Sequence, residues 1–195
     1  MSLISALANV HSIGQFGDHE GKDSNNILKI SEKKHFQIIQ IVQYKSSIVS
    51  FENNDIDGLK LKNEPLSVSS NNDTRILWNG PKNWLLVSTK KDLLKNILLS
   101  FKETDFAITD LSHSKAIIEI EGQNVKEVLK KGCPFNFNDL KKNNSINSTY
   151  NGIAFTIDMI DDNPNKVRLF ALRSFGESFY HSITDASLEF GYRSI

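Results

Sequence analysis

Residues 107–140 read AITDLSHSKAIIEIEGQNVKEVLKKGCPFNFNDL, and the apolar period changes partway along them. Ala116, Ile118 and Ile120 point one way, while Ile117, Glu119 and Glu121 point the other. That alternation is the mark of a strand with one covered and one wet face. Gly122 breaks it, and Val125, Val128 and Leu129 follow at helical spacing. Gly132 stands where a left-handed C-terminal cap is expected, and Pro134 stops continuation. The stretch therefore predicts strand, turn, helix and stop.

Working outward, 36–43 is β-branched and reads as a strand. Residues 74–79 and 84–88 read as a hairpin turning at Asn79-Gly80-Pro81, followed by a helix over 91–101 striped by Leu93, Leu94, Ile97, Leu98 and Phe101. Past a polar loop at 138–147, Ile153, Phe155, Ile157 and Met159 alternate in a long strand. A turn at 161–165 leads to a return strand over 166–172. Phe175, Phe179, Ile183, Ala186 and Phe190 then stripe a last helix that ends at Gly191. The order reads as two copies of strand-helix-strand-strand-helix, about 36–101 and 107–191. The repeat aligns 63–68 with 132–137 and tips residues 46–54 towards helix, against their β-branched Ile48-Val49. The expected fold is one α+β domain over 35–195, with mainly antiparallel sheets and helices packed on them.

Residues 1–34 lack a period and read as an extended arm. Leu3, Ile4 and Leu7 nonetheless stand at helical spacing, which suggests a small amphipathic plug for a groove on a partner. Trp78 and Trp84 flank the hairpin turn, where a tryptophan serves either as hairpin packing or as an interface anchor. These five residues are the candidate partner contacts.

Lysine plus arginine and aspartate plus glutamate both number 23, so the net charge is zero and no basic field attracts nucleic acid. A hydrophobic content of 39% with 12 phenylalanines suffices for a core. Cys133 is the only cysteine, which excludes an intramolecular disulfide and a multi-cysteine zinc site. No membrane span or secretory leader is read, so a cytoplasmic protein is expected.

Catalytic patterns are sparse. Ser112 and His113 are adjacent, but neighbours on a strand face opposite ways, so a turn or strand-edge pair is expected rather than a nucleophile and base. His11, His19, His35, His113 and His181 form no H-x-H or H-x-x-x-H pattern, and no G-x-G-x-x-G cradles a dinucleotide. Cys133, between a helix end and a proline, reads as a buried small apolar residue. The expectation is no catalytic, cofactor-binding or metal-ligating residue in this chain.

Four blocks, in order, carry a resemblance: Ser5-Ala6-Leu7; Trp78-Asn79-Gly80-Pro81-Lys82-Asn83-Trp84-Leu85-Leu86-Val87; Asp110-Leu111-Ser112-His113 with Val128-Leu129-Lys130-Lys131-Gly132-Cys133-Pro134; and Arg173-Ser174-Phe175-Gly176-Glu177-Ser178-Phe179. Together they span nearly the whole chain, and the chain resembles the gamma subunit of heterotetrameric sarcosine oxidase. Wider kin are the aminomethyltransferases of glycine cleavage and their folate-binding relatives, built as a similar α+β fold. The resemblance implies a non-catalytic assembly subunit bound to alpha, beta and delta subunits, chiefly alpha. That complex demethylates sarcosine to glycine, producing hydrogen peroxide and passing the one-carbon unit to tetrahydrofolate. It also implies that FAD, FMN, NAD, zinc and tetrahydrofolate belong to the other subunits. In aminomethyltransferases a Gly-rich, paired-Asp loop before the hairpin supplies a catalytic aspartate, and the second hairpin strand ends in Asn-Ala. Here Asn71-Asn72-Asp73-Thr74 and Ser88-Thr89 take those places, so Asp73 is only a positional echo. Two other readings stay open: a free-standing folate-dependent transferase or repair protein, and a small-ligand-binding regulatory module.

Overall fold

The computed structural model describes residues 4–23 and 27–195. In chain order the strands begin with β1 (Gly14–Phe16), β2 (Leu28–Glu32), β3 (Gln37–Gln43), β4 (Asp55–Ile56) and β5 (Leu59–Lys60). There follow β6 (Val68–Ser70), β7 (Thr74–Gly80), β8 (Asn83–Ser88), helix α1 (Leu93–Ser100) and β9 (Phe106–Asp110). The remainder is β10 (Lys115–Glu121), α2 (Val125–Lys130), β11 (Ser145–Tyr150), β12 (Ile153–Asp162), β13 (Asn165–Leu172), α3 (Gly176–Ser187) and β14 (Tyr192–Ser194). The chain divides into two compact units. One holds the described residues up to Lys34 with 114–142 and 147–195; the other holds 35–113 and 143–146.

The first unit is a seven-stranded sheet in the order β1-β14-β2-β10-β13-β12-β11. β10 runs antiparallel to β2 and β13, and β14 runs parallel to β2. Register puts Ala116, Ile118 and Ile120 opposite Ala171, Leu169 and Val167 on one face, continued by Phe155, Ile157 and Met159. All nine are buried, and Val125, Val128 and Leu129 of α2 with Phe179 and Ile183 of α3 supply the buried helical side of this core. Each such side chain contributes about 1.5–3 kcal/mol by leaving water. The rings of Phe155 and Phe179 lie 5.3 Å apart, which ties α3 to β12.

The opposite face of β10, expected to be wet, is covered: Glu119 is only 6% exposed. Its carboxylate takes Arg168 Nε and Nη2 at 3.1 and 2.9 Å, with Lys33 at 3.1 Å and Lys166 at 3.3 Å. The charges that suggested solvent instead form a buried ion cluster, the one arrangement that tolerates them there. Gly132 also has a different purpose from the expected one. Its backbone is not left-handed; a Cβ there would stand 2.7 Å from the Tyr150 ring.

The second unit is a five-stranded sheet, β6-β7-β8-β3-β9, beside the two-stranded β4-β5. Its core joins Ile39, Ile41, Ile76, Trp84 and Leu86 to Leu93 and Ile97 of α1 and to Phe101 and Phe106. Leu98, placed in the stripe by sequence, is instead exposed. Residues 46–54 form neither the expected helix nor a strand paired with β3, but a loop ending in a 3-10 turn at Phe51–Asn53. The loop is pinned by Gln43 Nε2 donating to Val49 O at 2.6 Å and Ser47 Oγ donating to Asp105 Oδ1 at 2.7 Å. The β7–β8 hairpin turns at Pro81-Lys82, one residue later than expected, because a bulge between Trp78 and Gly80 keeps Gly80 in the strand.

The strand orders match across the two units: β6, β7, β8, β3 and β9 correspond to β11, β12, β13, β10 and β2. The duplication is real, but 63–68 leads straight into β6, whereas after 132–137 β11 begins only at Ser145. The described residues of 1–34 do not form an extended arm. β2 is an inner strand of the first sheet, in the place that β9 holds in the second, and β1 and β14 extend it. β2 precedes β3 in the chain yet pairs with β10, and β9 precedes β10 yet pairs with β3.

Candidate functional site

The second unit gathers its polar side chains at the open end of the β7–β8 hairpin. The Thr74 and Ser88 hydroxyls, opposite each other in register, are 2.9 Å apart and buried. Asn71 Oδ1 accepts from the backbone N–H groups of Asp73 and Thr74, fixing the loop before β7. Asp73 Oδ1 accepts from Thr89 Oγ1 at 3.2 Å. The two places compared with the aminomethyltransferase loop and strand end are thus neighbours in space.

Sequence reasoning missed the centre of this group, Asp57, at the β4–β5 turn. Its carboxylate accepts from Thr74 Oγ1 at 2.7 Å and Asn71 Nδ2 at 3.2 Å, and it also takes the Lys90 ammonium. Lys90, then Thr74, hold Asp57 below its ordinary value, and Asp57 in turn raises Lys90. The Asp57-Gly58 pair was legible as a hairpin turn; its partners, 14 to 33 residues away, were not. Beside this group lies a cavity of about 350 Å³ with Asp57 and Lys90 at its rim and Leu93, Ile97 and Phe101 on its floor. A carboxylate already holding three donors is a poor base, because its proton affinity is spent.

The residues singled out by sequence fall elsewhere. Ser112 Oγ donates to Asp110 Oδ1 at 2.5 Å and accepts from Ile38 N–H at 3.0 Å, the strand-edge role expected of it. Those bonds hold Asp110 below the usual carboxylate range. Cys133 is buried, its Sγ 3.2 Å from Ser148 Oγ. Among the described residues no three His, Cys, Asp or Glu gather as a metal site.

The five candidate partner contacts do not form one surface. Leu3 lies outside the described residues. Trp84 is 0% exposed, and its Nε1 donates to Lys62 O at 2.6 Å, so it is core. Trp78 is half-buried on the same hairpin. Leu7 is also 0% exposed, whereas Ile4 is 74% exposed. The predicted plug is therefore folded back on its own unit. Ser5 Oγ lies 2.5 Å from both Glu32 carboxylate oxygens, and the Leu7 N–H donates to Glu32 at 3.3 Å. Arg173 Nη2 donates to the Ile4 carbonyl. A Cβ on Gly176 would meet Ala116 Cβ at 2.9 Å and approach Leu7 at 3.5 Å, so only glycine lets α3 start here. Ser5-Ala6-Leu7 and the Arg173–Glu177 block, far apart in sequence, meet at this corner.

Two strand-order repeats with helices packed on largely antiparallel sheets define a duplicated α+β fold, one shared with an aminomethyltransferase. A glycine cleavage system aminomethyltransferase T from Bartonella henselae superposes with TM-score 0.62 at 10% identity, over 82% of this chain and 46% of that one. A heterotetrameric sarcosine oxidase from Corynebacterium sp. U-96, solved with pyrrole 2-carboxylate, contains a chain matching at TM-score 0.81 and 20% identity, over 95% of both chains. No match is found among curated protein sequences. The model of the sarcosine oxidase gamma subunit family matches residues 52–189, well over half of the sequence. The chain belongs to the sarcosine oxidase gamma subunit family.

Proposed function

We propose that this chain is a non-catalytic assembly subunit of a heterotetrameric sarcosine oxidase. It associates with alpha, beta and delta subunits, chiefly alpha, in the cytoplasm. The observation that carries this reading is the state of the polar group beside the cavity. Asp57 and Asp73 are held by Lys90, Thr74, Asn71 and Thr89, which leaves no free carboxylate pair to move a proton. Asp73, at the aminomethyltransferase position, is exposed, accepts one bond from Thr89, and has neither the second acid nor the glycines of that loop beside it, which does not fit tetrahydrofolate chemistry on this chain. FAD, FMN, NAD, zinc and tetrahydrofolate fall to the partner subunits. The experiment is purification of the native assembly through a tag on this chain, with its partners identified by mass spectrometry. Sarcosine-dependent hydrogen peroxide is expected from the captured assembly and none from the chain alone. Turnover by the isolated chain, or capture of no flavoprotein subunit, overturns the proposal.

A further inference from the structure

The internal duplication leaves one strand edge of the second unit without the neighbour that its counterpart has. β2 and β9 are each five residues long and hold the same place, antiparallel to the strand that opens their copy. Lys33 N–H donates to Ile117 O, so the ladder from β2 to β10 uses the odd-numbered residues of β2. The N–H and C=O groups of Leu28, Ile30 and Glu32 turn outward. β14 runs parallel along that outer edge: Leu28 N–H donates to Gly191 O, and Ile195 N–H to Ile30 O, both at 3.0 Å. In β9, Tyr44 N–H donates to Asp105 O and Leu111 N–H to Ile38 O, so Phe106, Ile108 and Asp110 turn outward in the same way. The second sheet ends there. Phe106 N–H donates to Lys102 O at 3.0 Å, but among the described residues no backbone hydrogen bond meets the outward groups of Ile108.

We propose that the outer edge of β9 takes an extended segment of another chain as an added strand, parallel to Phe106–Asp110 as β14 is to β2. This rests on the assembly reading above and gives it a location. An open edge is ordinarily blunted by charge, proline or a bulge. Phe106, Ala107, Ile108 and Thr109 carry neither charge nor proline, and their register with β3 is unbroken. Asp110, at the far end, already accepts from Ser112 at 2.5 Å. The first unit also shows what the occupant looks like. β14 sets buried Tyr192 beside Leu28 and buried Ser194 beside Ile30, with exposed Arg193 between them. The matching face of β9 carries Phe106, its ring 4.9 Å from Phe101, and half-buried Ile108, both against the apolar core. The incoming segment therefore alternates, with apolar side chains beside Phe106 and Ile108 and polar ones on the other face, while main-chain groups supply the ladder. Two copies of this chain joined edge to edge about a two-fold axis normal to the sheet would pair antiparallel, the reverse of β14 on β2.

The test is amide hydrogen exchange on the assembly captured through this chain. There the Ile108 amide is expected to exchange as slowly as those of Ala107 and Thr109, which already face β3, and to lose that protection in the chain alone. Ile108→Pro removes the outward N–H and spares the β3 ladder, the position at which an edge strand admits proline. It is expected to raise the Kd for the partner subunits about tenfold or more, the scale of a lost main-chain hydrogen bond. Ile108→Val keeps the N–H and is expected to bind as wild type does; both variants are checked for an unchanged melting temperature. The exchange readout uses wild-type chain and stands even where Ile108→Pro melts early. Fast Ile108 exchange in an intact assembly, or an unchanged Kd for folded Ile108→Pro, overturns the added strand and leaves the assembly reading intact. A chain that captures no partner subunit overturns both. Protection of Ile108 in the chain alone, whether as monomer or as a dimer of two copies, also overturns the proposal.

Discussion

Glu119 was read as a solvent-facing strand residue and is instead engaged by Arg168, Lys33 and Lys166. Its burial alone would raise its pKa, but Arg168 and Lys166 outweigh that, and the folded value lies below the ordinary 4.5. Glu121 is held down in the same sense, chiefly by Lys166. Unfolded chain then binds more protons than folded chain on the acid side. The stabilisation is complete above the ordinary value and disappears as pH falls through the folded one. Melting temperature is accordingly expected to drop below about pH 4.5, and Glu119→Gln to flatten that acid limb. At neutral pH the same variant takes the negative charge away from the Arg168 and Lys166 contacts and costs about 3 kcal/mol in urea unfolding. Gly132→Ala tests the packing explanation of that glycine: its methyl enters the Tyr150 ring, and a loss of about 1–3 kcal/mol is expected. A neutral or stabilising result would overturn the packing explanation. Neither assignment was legible in sequence, because a charged residue on an alternating strand and a glycine after a helix look the same whatever covers them.

At the scale of elements, the N-terminal segment is the sharpest departure. Leu3, Ile4 and Leu7 read as a plug for someone else's groove, yet Leu7 lies in this unit's own core and β2 is an inner strand. Removing residues 1–12 is therefore expected to lower the melting temperature of the isolated chain, and Leu7→Ala to cost about 2–5 kcal/mol in urea unfolding. A truncated chain as stable as wild type would return the segment to the role of an arm. The helices α1, α2 and α3 and the strands β3, β7, β8, β10, β12 and β13 were legible because a period fixes them over six or more residues. The strands β1, β6 and β14 are three residues long, and β4 and β5 only two, too short to show a period. β2 was hidden for another reason: Leu28-Lys29-Ile30-Ser31-Glu32 alternates, but it follows a polar stretch and pairs with β10, far along the chain. Asp57 and Lys90 were hidden likewise, since a turn and a strand end become a site only when the sheet brings them together.

Across the whole molecule the duplication explains both the success and the limit of the reading. A repeated strand order gave the fold class from periodicity alone, while the exchange of leading strands, β2 to β10 and β9 to β3, leaves the first copy whole within its unit and places a unit boundary inside the second, after residue 113. Family membership follows from the sequence match over 52–189, and the matching fold from the likeness to the Corynebacterium chain. The central claim is that this fold serves assembly and not chemistry. The most direct test is kcat per flavin for the full assembly carrying Asp73→Asn or Asp57→Asn in this chain, with subunit stoichiometry verified. The account predicts sarcosine turnover within about twofold of wild type. A fall of about 10²-fold or more in an intact assembly, the scale of a lost general acid or base, would contradict it.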